Sequence, residues 1–380
     1  MSSRSLMLRW LDASTPVVVL IAILAILSGL IFTGDSAILQ REATTMLIYV
    51  VIVVGLYVFV GISGVLSFGH VTFVAVGAYV TAVVTMPPTI KNASFSNLPD
   101  FIASLQVSPF VGVMCAGVAA TLVALVIAVP INRLPAVTLG LAMFALLLTS
   151  NVVFAQGTAL LSGGQTSVFG IPKSTTLFVA LVFASVTIVI AYLYQQSRGG
   201  LILRAVREDE HAAQASGITV SSSRFWAFLL SAFIMGVGGG LFVQFIGTLN
   251  PTTFFFEATL TTLAMLVVGG IGSLSGAVLG TVLLSVVLAW LRELENGFSI
   301  VGVAVPNRPG LTATGLGIVM LLALILRPDG VTKSREIPPV SSWRLPQRLS
   351  RRKSQAPTVE VQESPVVTSE PIATAERERT

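Results

Sequence analysis

The chain has 380 residues, 54% hydrophobic and only 10% charged, with a net charge of +5. Soluble domains carry roughly a quarter charged residues, so composition alone places this chain in a membrane, and its continuous apolar runs argue against the ~10-residue alternating segments of a β-barrel. The lone Cys115 excludes an internal disulfide and a cysteine-based metal site, and the positive charge sits in flanks and tail rather than on a basic, aromatic nucleic-acid face.

Arg4 and Arg9 precede an apolar run at 16–33. Its length, with no small-x-small cleavage site behind it, favours an uncleaved first span over a signal peptide. Further apolar segments fall at 44–62, 71–86, 108–130, 136–154, 176–195, 224–247, 258–271, 275–291 and 310–326. Segments 71–86 and 258–271 are short enough to enter the membrane without crossing it. With residues 198–224 in the cytoplasm, alternation brings the N-terminus, 64–70, Arg133 and the C-terminal tail to the same side. The opposite side then holds only Arg41, Lys91, Lys173, Arg292 and Arg308, each in a different loop, as the positive-inside rule requires. The expected fold is all-α: a polytopic membrane protein of about ten transmembrane or membrane-inserted helices, both termini cytoplasmic. Residues 1–330 make the membrane domain. Residues 331–380, rich in Pro, Ser, Thr, Glu and Arg, read as a disordered cytoplasmic tail.

Several polar or glycine-rich stretches interrupt the spans. The first is Gly61-Ile62-Ser63-Gly64-Val65-Leu66-Ser67-Phe68-Gly69-His70, whose glycines allow a broken helix or a tight turn. Ser67, Gly69, His70 and Thr72 are candidates for lining a pathway; the plainer reading is a turn packed against its neighbours. In the outward loop, Gly163, Gly164 and Gln165 are candidates for contact with a solute or a binding protein, or form a surface turn. Gly236-Val237-Gly238-Gly239-Gly240 is a small-residue face for close helix packing. Gly269, Gly270, Gly272 and Ser273 divide an apolar stretch too long for one ~30 Å span. They make either unwound backbone beside a cavity or a hairpin turn.

The main polar break is 198–224. Residues 205–215 favour helix, with Glu208-Asp209-Glu210 near the start and Gly217 placed to end it. Between two apolar spans this insert must sit in water and offers a surface to a soluble partner. Elsewhere the spans hold almost no ionisable group, which argues against a proton-coupled carrier. No nucleotide-binding G-x-x-x-x-G-K-[ST] loop is present, so the energy source is a partner. No paired His, Asp or Glu constellation suggests an enzyme, and no cofactor or metal is implied. A stand-alone secondary, ion-coupled transporter is the competing reading.

At these residues the chain resembles the permease subunits of branched-chain amino-acid ABC importers, of the LivM type within the LivH/LivM family. The resemblance rests on Ser67-Phe68-Gly69-His70 with Gly77-Ala78-Tyr79 and on Arg204-Ala205-Val206-Arg207-Glu208-Asp209-Glu210-His211-Ala212-Ala213 with Gly217-Ile218. It extends to Val268-Gly269-Gly270-Ile271-Gly272-Ser273 and Leu326-Arg327-Pro328-Asp329-Gly330. It implies a bacterial inner-membrane importer body, not itself an enzyme, carrying amino acids or a related small polar solute such as urea or an amide. The implied partners are a second, LivH-type permease, two ABC ATPase subunits that bind the ATP, and an extracytoplasmic substrate-binding protein. The loop would be a coupling helix, with Arg207, Glu208, Asp209 and Glu210 polar at the docking rim, Ala212 and Ala213 fitted into an ATPase groove, and Gly217 at its end. The chain departs from many relatives in having no acid in Thr138-Leu139-Gly140-Leu141-Ala142-Met143-Phe144, and Gly163-Gly164-Gln165-Thr166-Ser167 where they read Gly-Gly-x-Asn-Gly.

Overall fold

In a bilayer every backbone N–H and C=O of a lipid-facing span must be bonded within its own segment, so the apolar runs become helices. The computed structural model describes residues 3–34, 36–95, 99–156, 167–296, 299–300, 303–304, 310–326, 330–332 and 336. The helices are α1 (Ser3–Thr33), α2 (Ala37–Leu56), α3 (Val71–Thr85), α4 (Pro88–Ser94), α5 (Asp100–Ala103), α6 (Pro109–Ile131) and α7 (Ala136–Gln156). They continue with α8 (Leu177–Gln196), α9 (Arg198–Glu208), α10 (Glu210–Ala215), α11 (Val220–Ile246), α12 (Phe256–Gly269), α13 (Leu274–Asn296) and α14 (Leu311–Leu326). Two short antiparallel strand pairs complete the described chain, β1 (Val168–Phe169) with β2 (Thr248–Leu249) and β3 (Ser299–Ile300) with β4 (Val303–Ala304). All described residues belong to one unit, Met1–Pro339; the other, Val340–Thr380, lies outside the described residues with most of the expected tail.

Among the described residues, 8 helices are long and apolar enough to cross a membrane, and Val71–Thr85 and Leu311–Leu322 are shorter apolar ones. Each of the ten expected segments is therefore helical. Of the two expected to be short, 71–86 is so; 258–271 is lengthened by the 3-10 turn Pro251–Phe254 that leads into α12. α3 has 15 residues and rises only ~22 Å, less than the ~30 Å hydrocarbon core. Its side chains are nearly all buried in protein, and the chain enters it through an extended segment whose Val65, Ser67 and Gly69 are buried too. Protein shields that non-helical backbone on the side of Val65, Ser67 and Gly69, while Gly64, Leu66 and Phe68 stay exposed.

α2 forms the centre. Residues 50–63 are buried without exception, and the helix ends in a π turn, Tyr57–Gly61. It packs against α11, α8 and α13, while α11 also packs against α3 and α6. The small-residue face of α11 makes this closeness possible. A Cβ on Gly239 would lie 2.0 Å from the Val74 carbonyl of α3, and one on Gly236 would lie 2.5 Å from the Cβ of Ala120 in α6. The expected tight packing of 236–240 is therefore what the structure contains. At the other end of α3, Lys91 of α4 is fully buried and donates to the carbonyls of Ile102 and Leu105, tying α4 to α5. Burial holds its pKa below the ordinary lysine value.

Candidate functional site

The polar break at 198–224 folds as two helices rather than the single one its propensity suggests. Ser197 caps α9 by accepting from Gly200 N at 3.3 Å. The helix stops at Asp209, whose backbone is extended and whose Oδ1 accepts from His211 N and Ala212 N, both at 2.9 Å, to start α10. The backbone bond from Ala212 is the main cause that holds the Asp209 carboxyl below its ordinary value. Asp at a helix start competes with the continuing helix for those N–H groups, which is why the element breaks there. α10 ends in a Schellman turn: Gly217 takes φ +82, its N–H bonds the Gln214 carbonyl at 2.9 Å, and Ile218 N–H bonds the Ala213 carbonyl at 3.1 Å. Val206, Ala213 and Val220 bury one another with Ile218 against them, a small core belonging to the loop itself.

Two charged contacts fasten this unit to the spans. Arg207 Nη1 donates to the Gly61 carbonyl at 2.6 Å, at the end of the π turn. Arg224, 3% exposed near the start of α11, pairs with Glu210 at 2.9 Å. A cleft of about 530 Å³ lies between loop and spans, lined by Gly64, Leu66, Arg207, Glu210, Arg224 and Ile271 among others. Ala213 is buried in the loop's own core, while Arg207, exposed along its length, reaches back to Gly61 through its guanidinium. Glu208, Asp209, His211, Ala212, Gln214, Ala215 and Gly217 are exposed, and Glu210 is half-buried. Of the two alanines expected to dock, Ala212 is exposed and Ala213 buried.

The pathway candidates separate into two groups. Ser67 and His70 bond through Oγ and Nδ1 at 2.6 Å, and the fully buried imidazole lies among Phe59, Phe73 and Phe228 with ring centroids 4.9, 5.7 and 5.3 Å away. A Cβ on Gly69 would meet the Met143 carbonyl at 2.0 Å. Thr72 bonds Ser150 of α7 through the two hydroxyls at 3.0 Å. This group packs α3 against α7 and α11. The second group is a hairpin turn. A Cβ on Gly269 would meet the Gly276 carbonyl at 1.9 Å, Gly270 takes φ +118, Gly272 is half-buried, and buried Ser273 accepts from Gly276 N at 3.0 Å to cap α13. Gly330 lies against Gly270, and the Ser273 and Thr332 hydroxyls bond at 2.9 Å, so chain covers one side of the turn while Ile271 borders the cleft on another.

Gly163, Gly164 and Gln165 lie outside the described residues. The end of their loop is fastened, since Asn250 donates to Ser167 at 3.2 Å beside the β1–β2 pair. Among the described residues no group of three or more His, Cys, Asp or Glu is placed to hold a metal. Sequence reasoning missed Arg224, Gln195 and Glu336, whose partners are distant or lie in the expected tail.

Residues 38–324 match the family described as branched-chain amino acid transport system / permease component. The high-affinity branched-chain amino acid transport system permease protein LivM of Escherichia coli K12 is 28% identical over 319 residues, covering 76% of this chain and 68% of that protein. The corresponding LivH protein of Salmonella typhimurium LT2 is 36% identical over 106 residues, 28% of this chain and 33% of its own. The fructose import permease protein FrcC of Rhizobium meliloti is 26% identical over 200 residues, 48% of this chain and 53% of its own. No solved structure is significantly similar.

Proposed function

The chain belongs to the branched-chain amino acid transport permease family and is a multi-pass membrane protein, and from that premise we propose that it forms half of the translocation pathway of an ABC importer. Its cargo is an amino acid of the branched-chain type or a related small polar solute such as urea or an amide. The other half is a LivH-type permease. Two ATPase subunits bind and hydrolyse the ATP, an extracytoplasmic binding protein delivers the solute, and the chain itself is neither an enzyme nor a cofactor carrier. The assembly sits in a bacterial inner membrane with 198–224 and both termini on the cytoplasmic side.

One observation carries this reading. The 198–224 unit has a core of its own, is bonded to α2 through Arg207 and to α11 through Arg224, and leaves the opposite face free. A rigid body gripped by the spans and open to water is what coupling requires, because a push on it reaches the membrane. Glu208, Asp209, Glu210, Ala212 and Gly217 make the docking face; Arg207 and Ala213 hold it in shape. Closure of the ATPase dimer then rocks the two permeases between outward- and inward-open states. Ser67, Gly69, His70 and Thr72, with Gly269, Gly270, Gly272 and Ser273, hold the two breaks in the spans about which such rocking turns.

The test is to purify the assembly and replace exposed Ala212 with Glu. ATP-driven solute uptake in proteoliposomes should fall at least ~10-fold, with the thermal unfolding of the membrane body unchanged. Normal uptake in that variant would remove the coupling role. A chain that purifies alone and moves solute on an ion gradient would overturn the importer.

A further inference from the structure

The chain after α14 returns to the membrane domain. α12 ends at Gly269, and α13 starts at Leu274, so the turn between them exposes carbonyls on one side and N–H groups on the other. Val331 N donates to the Val268 carbonyl at 2.9 Å, and Thr332 gives the Gly269 carbonyl both its N–H at 3.1 Å and its hydroxyl at 2.9 Å. Glu336 serves the other end: Leu274 N donates to its Oε1 at 2.8 Å, while Ser275 N and Ser275 Oγ donate to its Oε2 at 3.3 and 3.1 Å. A carboxylate at a helix N-terminus is favoured by both the free N–H groups and the helix dipole.

The same carboxylate reaches a third element. Gln195 Nε2, in the last turn of α8, donates to Glu336 Oε1 at 3.0 Å, and Gln195 Oε1 accepts from Tyr57 Oη of the π turn at 3.2 Å. Gln195 is 1% exposed and Tyr57 fully buried, so the Tyr57–Gln195 end of the network is desolvated and its bond matters more than at a surface, while Glu336 is half-buried. Ser197, two residues past Gln195, caps α9. On the other flank Arg207 of α9 holds the Gly61 carbonyl, and a Cβ on Gly61 would lie 2.7 Å from the Ile271 carbonyl of the turn. The α12–α13 turn is therefore joined to the 198–224 unit along two routes, one through Gln195 and Glu336, the other through Gly61.

We propose that Glu336 is a positioning residue that locks the α12–α13 turn to the base of the coupling unit, so that a displacement of α9 and α10 is passed to α13. The proposal rests on the coupling reading of 198–224. Glu336 touches no solute; it acts by making two elements, far apart in sequence, move together. A residue placed in a presumed tail by composition is on this view part of the transport machinery, and the functional chain extends at least to 336.

Two measurements on the full assembly test it. In the first, hydrogen–deuterium exchange is compared between wild type and Glu336→Ala. Faster exchange is expected at 274–276 and also at 197–215; a change confined to 268–276 would reduce Glu336 to a local cap and overturn the proposal. This arm does not depend on transport, so it decides the link even if the importer reading fails because wild type shows no ATP-driven uptake. In the second, leucine uptake per ATP hydrolysed is measured. Glu336→Ala should lower that ratio about tenfold while keeping the ATPase rate and the yield of assembly. Gln195→Glu sets one carboxylate against another and should do the same, and the swapped pair Gln195→Glu with Glu336→Gln restores one hydrogen bond and most of the ratio. Uptake and ATPase rate falling together with yield, or a swapped pair no better than either single variant, would overturn it.

Discussion

His70 brings the question of packing against pathway down to one hydrogen bond. The imidazole is enclosed by Phe59, Phe73 and Phe228, its Nδ1 bonds Ser67, and its Nε2 has no partner among the described residues. Removing one member of a buried polar pair leaves the other desolvated and unpaired, at a cost of about 1–3 kcal/mol, whereas removing both is far milder. Ser67→Ala should therefore lower the unfolding temperature of the purified assembly. His70→Phe, which keeps an aromatic ring in the box, should do likewise, and the double variant should recover most of the loss. Losses that simply add would show that the pair is not the reason the imidazole is there. A double variant of wild-type stability but altered solute affinity would make His70 a pathway residue.

At the scale of the element, α11 depends on glycine where it meets α3. The contact at Gly239 is with backbone, the Val74 carbonyl, so no side-chain rotamer can make room for a methyl group. Gly239→Ala should separate the helices and cost about 1–3 kcal/mol or more. Gly29→Ala in α1, where nothing lies within 4 Å, should be neutral or gain up to ~1 kcal/mol from helix propensity. Equal effects in a thermal unfolding series would deny the close approach. This glycine face was legible in the sequence, as were the spans, because helix periodicity and apolar length are local properties. The polar break was legible in position but not in form: propensity over 205–215 reads as one helix, and only the side chain of Asp209 turning back onto His211 and Ala212 divides it. The burial of Ala213 was not legible either, because the phase of the six-residue helix after the break is set by the Asp209 cap and the Gly217 turn. Glu336 was invisible for a different reason: its partners at 195, 274 and 275 are brought together only by the folded bundle.

For the whole molecule, orientation decides whether the coupling reading has any meaning, since ATP is found on one side only. α11 is a 27-residue helix, ~40 Å long, which exceeds the ~30 Å hydrocarbon core. If it crosses, as proposed, its ends open on opposite faces, the 198–224 unit at one and the β2 strand with Pro251–Phe254 at the other. Arg198, Arg204, Arg207 and Arg224 gather at the first end, the one that the proposed orientation, following the positive-inside rule, sets in the cytoplasm. With Cys115 replaced by Ser, a single cysteine at exposed Ser216 or exposed Thr252 reports each face separately. A membrane-impermeant maleimide should label Ser216→Cys only in inside-out vesicles and Thr252→Cys only in right-side-out ones. Labelling of both from one side would mean that α11 does not cross. The reverse pattern would put the coupling unit outside, where no ATPase can reach it, and both the docking face at Ala212 and the lock at Glu336 would fall with it.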